Sequence, residues 1–192
     1  MSVRDRIDDA RLLYANGRKD GALLSVLVAV SATSRMRYPR NVKKDREAFL
    51  AFLQEELVVA THGGTINYHV KVPGSNTTKY PDEMMPIQNV FYEIIRCNLA
   101  HEAVIPNNIR FETGDPSVQS TRIEANELVL SDSWIDGLAK VVEHAPENHE
   151  LYPNIAALPD DVLAWVLFGQ RRDKRQEYMA ARTRRLSSTK HI

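Results

Sequence analysis

The sequence predicts a mainly α fold, a bundle of four to five helices carrying short strand and hairpin insertions. Two observations predict it: apolar residues recur at helical spacing in several long segments, and polar and apolar residues alternate in only a few short ones. Separately, a single cysteine, Cys97, excludes an intrachain disulfide. The bundle with its insertions near 65–72 and 109–130 is expected to span residues 1–150, and a last helix with a basic tail to span 151–192.

The elements follow in order. Ser2 with Asp5 reads as a helix N-cap and an acidic first turn, ahead of Ile7, Ala10, Leu13 and Tyr14 at helical spacing, with Gly17 closing the helix. A second helix starts near Asp20, runs through ALLSVLVAVSATSRM and stops at Pro39. It is apolar on most sides, so it belongs at the centre. KKDREAFLAFLQEEL aligns Phe49, Leu50, Leu53 and Leu57 on one face and ends at His62-Gly63-Gly64. TINYHVKV, 65–72, alternates Ile66, Tyr68, Val70 and Val72 with polar residues, a strand pattern, and PGSNTTKYPDE reads as loop.

Pro86 suits a first helical position and opens the next helix. NIRFETG and TRIEANELVLS read as two strands joined by DPSVQS, a hairpin. Ser131 or Asp132 caps a helix with Ile135, Leu138 and Val142 inward, ended by Pro146, and Asp160 caps the last helix.

Composition narrows the function. Apolar residues make up 43% and charged residues 26%, the balance of an ordinary globular protein. The N-terminus is charged from Arg4 and has no apolar signal core, and the longest apolar run, VLAWVLF at 162–168, falls far short of the roughly 20 residues that span a bilayer. A cytoplasmic protein with no membrane partner is expected. The net charge is zero, but residues 170–192 carry +6, which leaves −6 on residues 1–169. A basic tail on an acidic body attracts polyanions or folds back on its own body.

The segment YEIIRCNLAHEA, 92–103, carries the main question. A helical stripe beginning at Ile87 predicts apolar residues at 87, 90, 91, 94, 95, 98 and 99, and only Asn98 breaks it. A polar amide on a core stripe must find partners. Arg96 and His101 are five residues apart, hence about 140° apart around an ideal helix. Between them lies a sector of Glu93, Cys97, Ala100 and Val104, whose small residues admit a second backbone. That sector is read as the contact with the same helix of a second subunit, a homodimer with two arginines and two histidines around one groove. The alternative places Arg96 in solvent and His101 at the edge of the core.

The stretch Arg96-Cys97-Asn98-Leu99-Ala100-His101, with Glu102 following, resembles the R-x4-6-H motif of the HEPN superfamily (higher eukaryotes and prokaryotes nucleotide-binding). LLYANGRKDGALLSVLVAVSATSRMRYP is similar to that superfamily's first two helices, and RYP followed by DREAFLAFL resembles a bacterial branch of it. The resemblance covers roughly residues 5–145, apart from the strands. It implies a four-helix bundle that dimerises through the motif, and a metal-independent endoribonuclease of toxin, phage-defence or RNA-processing systems. It also implies the alternative of an inactive module that binds RNA, a nucleotide or a protein partner. The chain departs from the pattern in two places. The polar residue after the arginine, Asn98, comes one position late, and Ala103 stands where partners of a nucleotidyltransferase antitoxin often carry tyrosine.

RNA cleavage by 2′-hydroxyl attack needs a proton acceptor, a proton donor and positive charge on the phosphate. Histidine can do either proton job near neutral pH and arginine can fork two phosphate oxygens. Arg96 and His101 are therefore the catalytic candidates, with Asn98 on the His101 side of the helix to orient the imidazole. Tyr92, four residues before Arg96, would steady the guanidinium or stack on a base. Glu102, Arg171, Arg172 and Arg175 complete the candidate contacts to RNA. No cofactor or metal is expected: His62 with His69, and His144 with His149, lack ligand spacing with supporting groups, GSNTTK lacks a phosphate-loop lysine, and Cys97 has no visible orienting group for thiol chemistry. A DNA-binding regulator using the basic C-terminal helix is the third reading.

Overall fold

The computed structural model describes residues 1–60, 68–75, 79–116 and 118–153. The expectations on residues 61–67 and on the final helix and basic tail, with Asp160, Arg171, Arg172 and Arg175, lie outside them.

Helices dominate, and two small sheets sit beside them. Helix α1 (Val3–Ala15) opens on a capping box: the Asp5 N–H donates to Ser2 Oγ at 3.1 Å, and the Ser2 N–H donates back to Asp5 Oδ2 at 2.6 Å. Gly17 takes a left-handed φ of 72° and turns the chain into α2 (Lys19–Arg37). As its all-round apolarity predicts, α2 is central and packs against α1, against α3 (Asp45–Ala60) and against α6 (Ser133–Glu143). Its core-facing hydroxyls are satisfied within the helix: Thr33 donates to the Ala29 carbonyl at 3.0 Å and Ser34 to that of Ser31 at 2.8 Å. Phe49, Leu53 and Leu57 of α3 are buried as the spacing predicts, Leu50 is half-buried, and Phe52 is buried with them. In α6, Ile135, Leu138 and Val142 face the core, as does Trp134, whose ring meets Phe91 edge-on at 5.3 Å.

Strand β1 (His69–Lys71) pairs antiparallel with β2 (Met84–Pro86), with Val70 opposite Met85. The chain passes directly from β2 into a helix. Pro86 caps that helix rather than starting it, because it still belongs to the strand, and the Ile87 N–H donates to the Tyr68 carbonyl at 2.8 Å.

The second sheet corrects the expected hairpin. TRIEANELVLS is two strands, β4 (Thr121–Glu124) and β5 (Glu127–Ser131), reversed at Ala125-Asn126. Both turn residues have positive φ, 48° and 65°, which is the two-residue turn that suits twisted antiparallel strands. β5 therefore lies in the middle. β3 (Ile109–Glu112) pairs parallel with β5, not with β4, and the order is β3-β5-β4. Arg110 and Arg122 flank Val129 and bridge Glu112, Glu124 and Glu127 over it, so a valine on the polar face is still buried.

Among the described residues no helix is long and apolar enough to cross a membrane.

Candidate functional site

The helix that follows β2 has three parts: α4 (Ile87–Asn89), a π-helical segment (Val90–Arg96) and α5 (Cys97–His101). The Cys97 N–H reaches the Tyr92 carbonyl, five residues back. A π segment widens the helix and shifts its phase, and such segments recur at functional sites.

The widened turn explains the single break in the stripe. Ile87, Val90 and Phe91 are buried as an α-helical template predicts, but beyond them the core residues are Ile95 and Leu99. Ile94 and Asn98 are only half-buried. Asn98 is therefore not a polar residue on the core stripe. Its Nδ2 donates to the Ile94 carbonyl at 2.6 Å, which replaces the expected role of orienting His101.

Arg96 is half-buried and held at two points. Its Nε donates to Ser31 Oγ on α2 at 3.0 Å, and its guanidinium carbon lies 5.1 Å from the Tyr92 ring centroid. Ser31 in turn donates to the Leu27 carbonyl at 2.9 Å. Neither terminal nitrogen of Arg96 has a partner among the described residues. Tyr92 also meets Phe49 edge-on at 5.0 Å, so it packs against the helical core and seats the arginine at once. His101 closes α5 and is exposed, as is Glu102, whose backbone N–H donates to the Asn98 carbonyl.

The four residues of the expected dimer sector sit in different settings. Glu93 is tied within its own chain. It takes hydrogen bonds from Arg46 and from Asn89 Nδ2, at 2.8 Å for the latter, and Lys79 Nζ approaches it at 3.4 Å. Burial acts to raise the Glu93 carboxyl pKa, but the hydrogen bonds from Arg46 and Asn89 and the charges of Arg46 and Lys79 outweigh it and hold the pKa below the ordinary value. Val104 lies past the helix end, because Ala103 takes a left-handed φ of 56° and breaks the helical path. Cys97, half-buried, and Ala100, exposed, remain beside the motif.

Two arrangements had no counterpart in the expected site. One is the Arg46–Glu93–Asn89 network just described, in which Asn89 Nδ2 also donates to Tyr80 Oη at 2.9 Å. The second is an ionic core at the end of α2. Arg37, with a side chain 3% exposed, meets Glu55 at 3.0 Å, Glu56 at 2.7 Å and Glu147 at 2.7 Å and lies over the Phe52 ring. Burial opposes its charge, but the hydrogen bonds it donates to Glu147 and the charges of Glu56, Glu147 and Glu55 raise its pKa further above the usual guanidinium value. The adjacent glutamates of α3, facing an arginine that precedes Pro39, were its signal in the sequence.

Of the histidines considered as ligands, His69 is exposed on β1, His149 is exposed, and His144 has a buried Nδ1 with no hydrogen-bond partner among the described residues. Among the described residues no group of three or more histidine, cysteine or acidic side chains is placed to hold a metal ion.

A family model described as Rv1289 matches residues 2–157. No curated protein and no solved structure matches the chain.

Proposed function

We propose that this chain, which belongs to the Rv1289 family, is a HEPN-like helical module that cleaves RNA at a groove between two copies of itself. The observation that carries this reading is Arg96: its Nε is fixed by Ser31 and its face by Tyr92, while neither terminal nitrogen has a partner among the described residues, on the same helix as the exposed His101. A guanidinium held in this way can fork two oxygens of one phosphodiester and stabilise the charge that builds there in the transition state.

The 2′-hydroxyl oxygen attacks the adjacent phosphorus and the bond from phosphorus to the 5′-oxygen breaks. One imidazole takes the 2′-proton and another gives a proton to the leaving 5′-oxygen, which leaves a 2′,3′-cyclic phosphate and a 5′-hydroxyl. Two histidines are needed in one groove, and one chain offers one at this helix end. Cys97 and Ala100, beside the motif, leave room for the second helix to approach.

The test is incubation of total RNA with the wild-type protein, Arg96→Ala and His101→Ala. The expected result is cut ends of the stated chemistry with wild type and a loss of about 10²-fold or more with either variant. Equal cutting by both variants removes the assignment.

A second reading has one observation in its favour. Asn98 turns to its own helix backbone and leaves His101 without an orienting partner among the described residues. In that reading the module binds RNA or a nucleotide through Arg96 and does not cut it, and the discriminating result is bound RNA with no new ends.

A further inference from the structure

We infer that the turn between α2 and α3, residues 39–44, is a second phosphate-binding station that guides a single strand of RNA toward Arg96. The inference rests on the RNA reading of Arg96 but concerns residues that reading does not use.

The turn carries Arg40, Lys43 and Lys44, and none of the three has a carboxylate partner for its side chain among the described residues. Arg40 and Lys44 are exposed and Lys43 is half-buried, with its Nζ 5.1 Å from the Tyr38 ring centroid. These cations stand on a braced loop. The Val42 and Lys43 N–H groups donate to the Pro39 carbonyl at 2.8 and 3.2 Å. Arg35 clamps the loop from below: its Nη1 donates to the carbonyls of Tyr38 and Lys43, each at 2.8 Å, and its Nε pairs with Asp45 at 2.8 Å. A braced backbone loses less entropy when an anion binds than a floppy one would.

Position links the turn to the candidate site. Arg35 lies four residues after Ser31 on the same side of α2, about 6 Å further along the helix axis. Ser31 holds Arg96 and Arg35 holds the turn, so Arg96 and the turn are successive steps along one edge of α2. The acids beside them are already engaged. Asp45 pairs with Arg35, Glu93 with Arg46 and Lys79, and Glu47 accepts the Lys44 backbone N–H at 3.2 Å. Residues 1–169 carry a net −6, so three cations on one turn with no carboxylate partner among the described residues are a local feature and not a general basicity. A line of cations leading to an arginine fork is what a flexible phosphodiester backbone requires.

The experiment measures binding of a fluorescein-labelled 2′-O-methyl oligouridine, which lacks the attacking hydroxyl, by anisotropy across a salt series. The proteins are full-length wild type, the neutralised R40Q/K43Q/K44Q and the charge-keeping R40K/K43R/K44R. Each phosphate contact contributes about 0.7 to the slope of log affinity against log salt for a single strand, so neutralisation should lower the slope by about 2. The charge-keeping variant should match wild type. Matching melting curves show that the variants are folded. An unchanged slope in the neutralised protein, or no binding by wild type, overturns the inference. Salt-sensitive binding that depends on the turn, in a protein that makes no cuts, supports the inference and removes the cleavage reading. Arg96-dependent cutting with an unchanged slope does the reverse.

Discussion

The Ser31 hydroxyl hydrogen points at the Leu27 carbonyl, which turns the oxygen lone pairs toward Arg96 Nε. Ser31→Ala keeps the helix and removes this acceptor. The expected loss is about 1 kcal/mol of positioning, read as a several-fold drop in RNA cleavage with little change in urea stability, and Ser31→Thr should retain much of the activity. Glu93 belongs at the same scale, with acidity as its readout. Its carboxyl pKa is held below the ordinary 4.5, so the folded chain keeps it ionised where the unfolded chain takes up a proton. The stability it contributes is complete above the unfolded value near 4.5 and is lost as pH falls through the folded one. Glu93→Gln should therefore lower the urea midpoint at pH 7 by the equivalent of about 1 kcal/mol and flatten the decline below pH 4.5, as urea titrations at pH 7 and pH 4 would show. Arg96 and His101 stood out in the sequence by residue type and spacing. Ser31 did not, because a serine in an alanine-rich helix looks the same whether it bonds backwards to its own turn or seats an arginine 65 residues away.

Elements whose identity rests on local periodicity were readable: α1 with its capping box, the central α2, the buried face of α3 and the inward stripe of α6 all follow from spacing and punctuation. The order of strands in the second sheet was not readable, because Ala125-Asn126 lacks the glycine that usually marks a two-residue turn, and because β3 chooses β5 by packing across the chain. The π segment was not readable either, since a template of 3.6 residues per turn assigns each position one face and cannot insert a residue. Asn98 was its trace: the one apparent error in the stripe marks where the phase slips. Ala103 carries a testable cost at this scale. It sits just past the helix end with φ 56°, where glycine is unstrained. Ala103→Gly should stabilise the fold by about 1 kcal/mol and raise the melting temperature by about 2–4 °C in calorimetry. Deleting one residue from 90–96 should do the opposite. It would rotate the Ile95 and Leu99 side against the Val90 and Phe91 side by about 100° and bring a half-buried position into the core.

In the whole molecule, Arg37 joins three parts of the chain, because it leaves α2 to meet Glu55 and Glu56 on α3 and Glu147 beyond α6. Asn148 adds a second tie there, with Nδ2 donating to Thr33 Oγ1 at 2.9 Å and to the Val142 carbonyl at 2.8 Å. Arg37→Ala would break the buried pair with Glu56, 2% exposed, and a destabilisation of about 3–5 kcal/mol is expected in chemical unfolding. The proposed pairing of two copies is checked by sedimentation: a species of twice the chain mass should form with wild type and weaken when Ala100 is replaced by a large charged residue. The same rod, α2, holds the arginine's seat at Ser31, the brace of the cationic turn at Arg35 and the ionic knot at Arg37, within two turns of one another. Sliding that rod along its own length by a single residue, roughly 1.5 Å, would misalign all three together. Durability and the proposed ligand capture therefore share one keel, and neither can drift without the other.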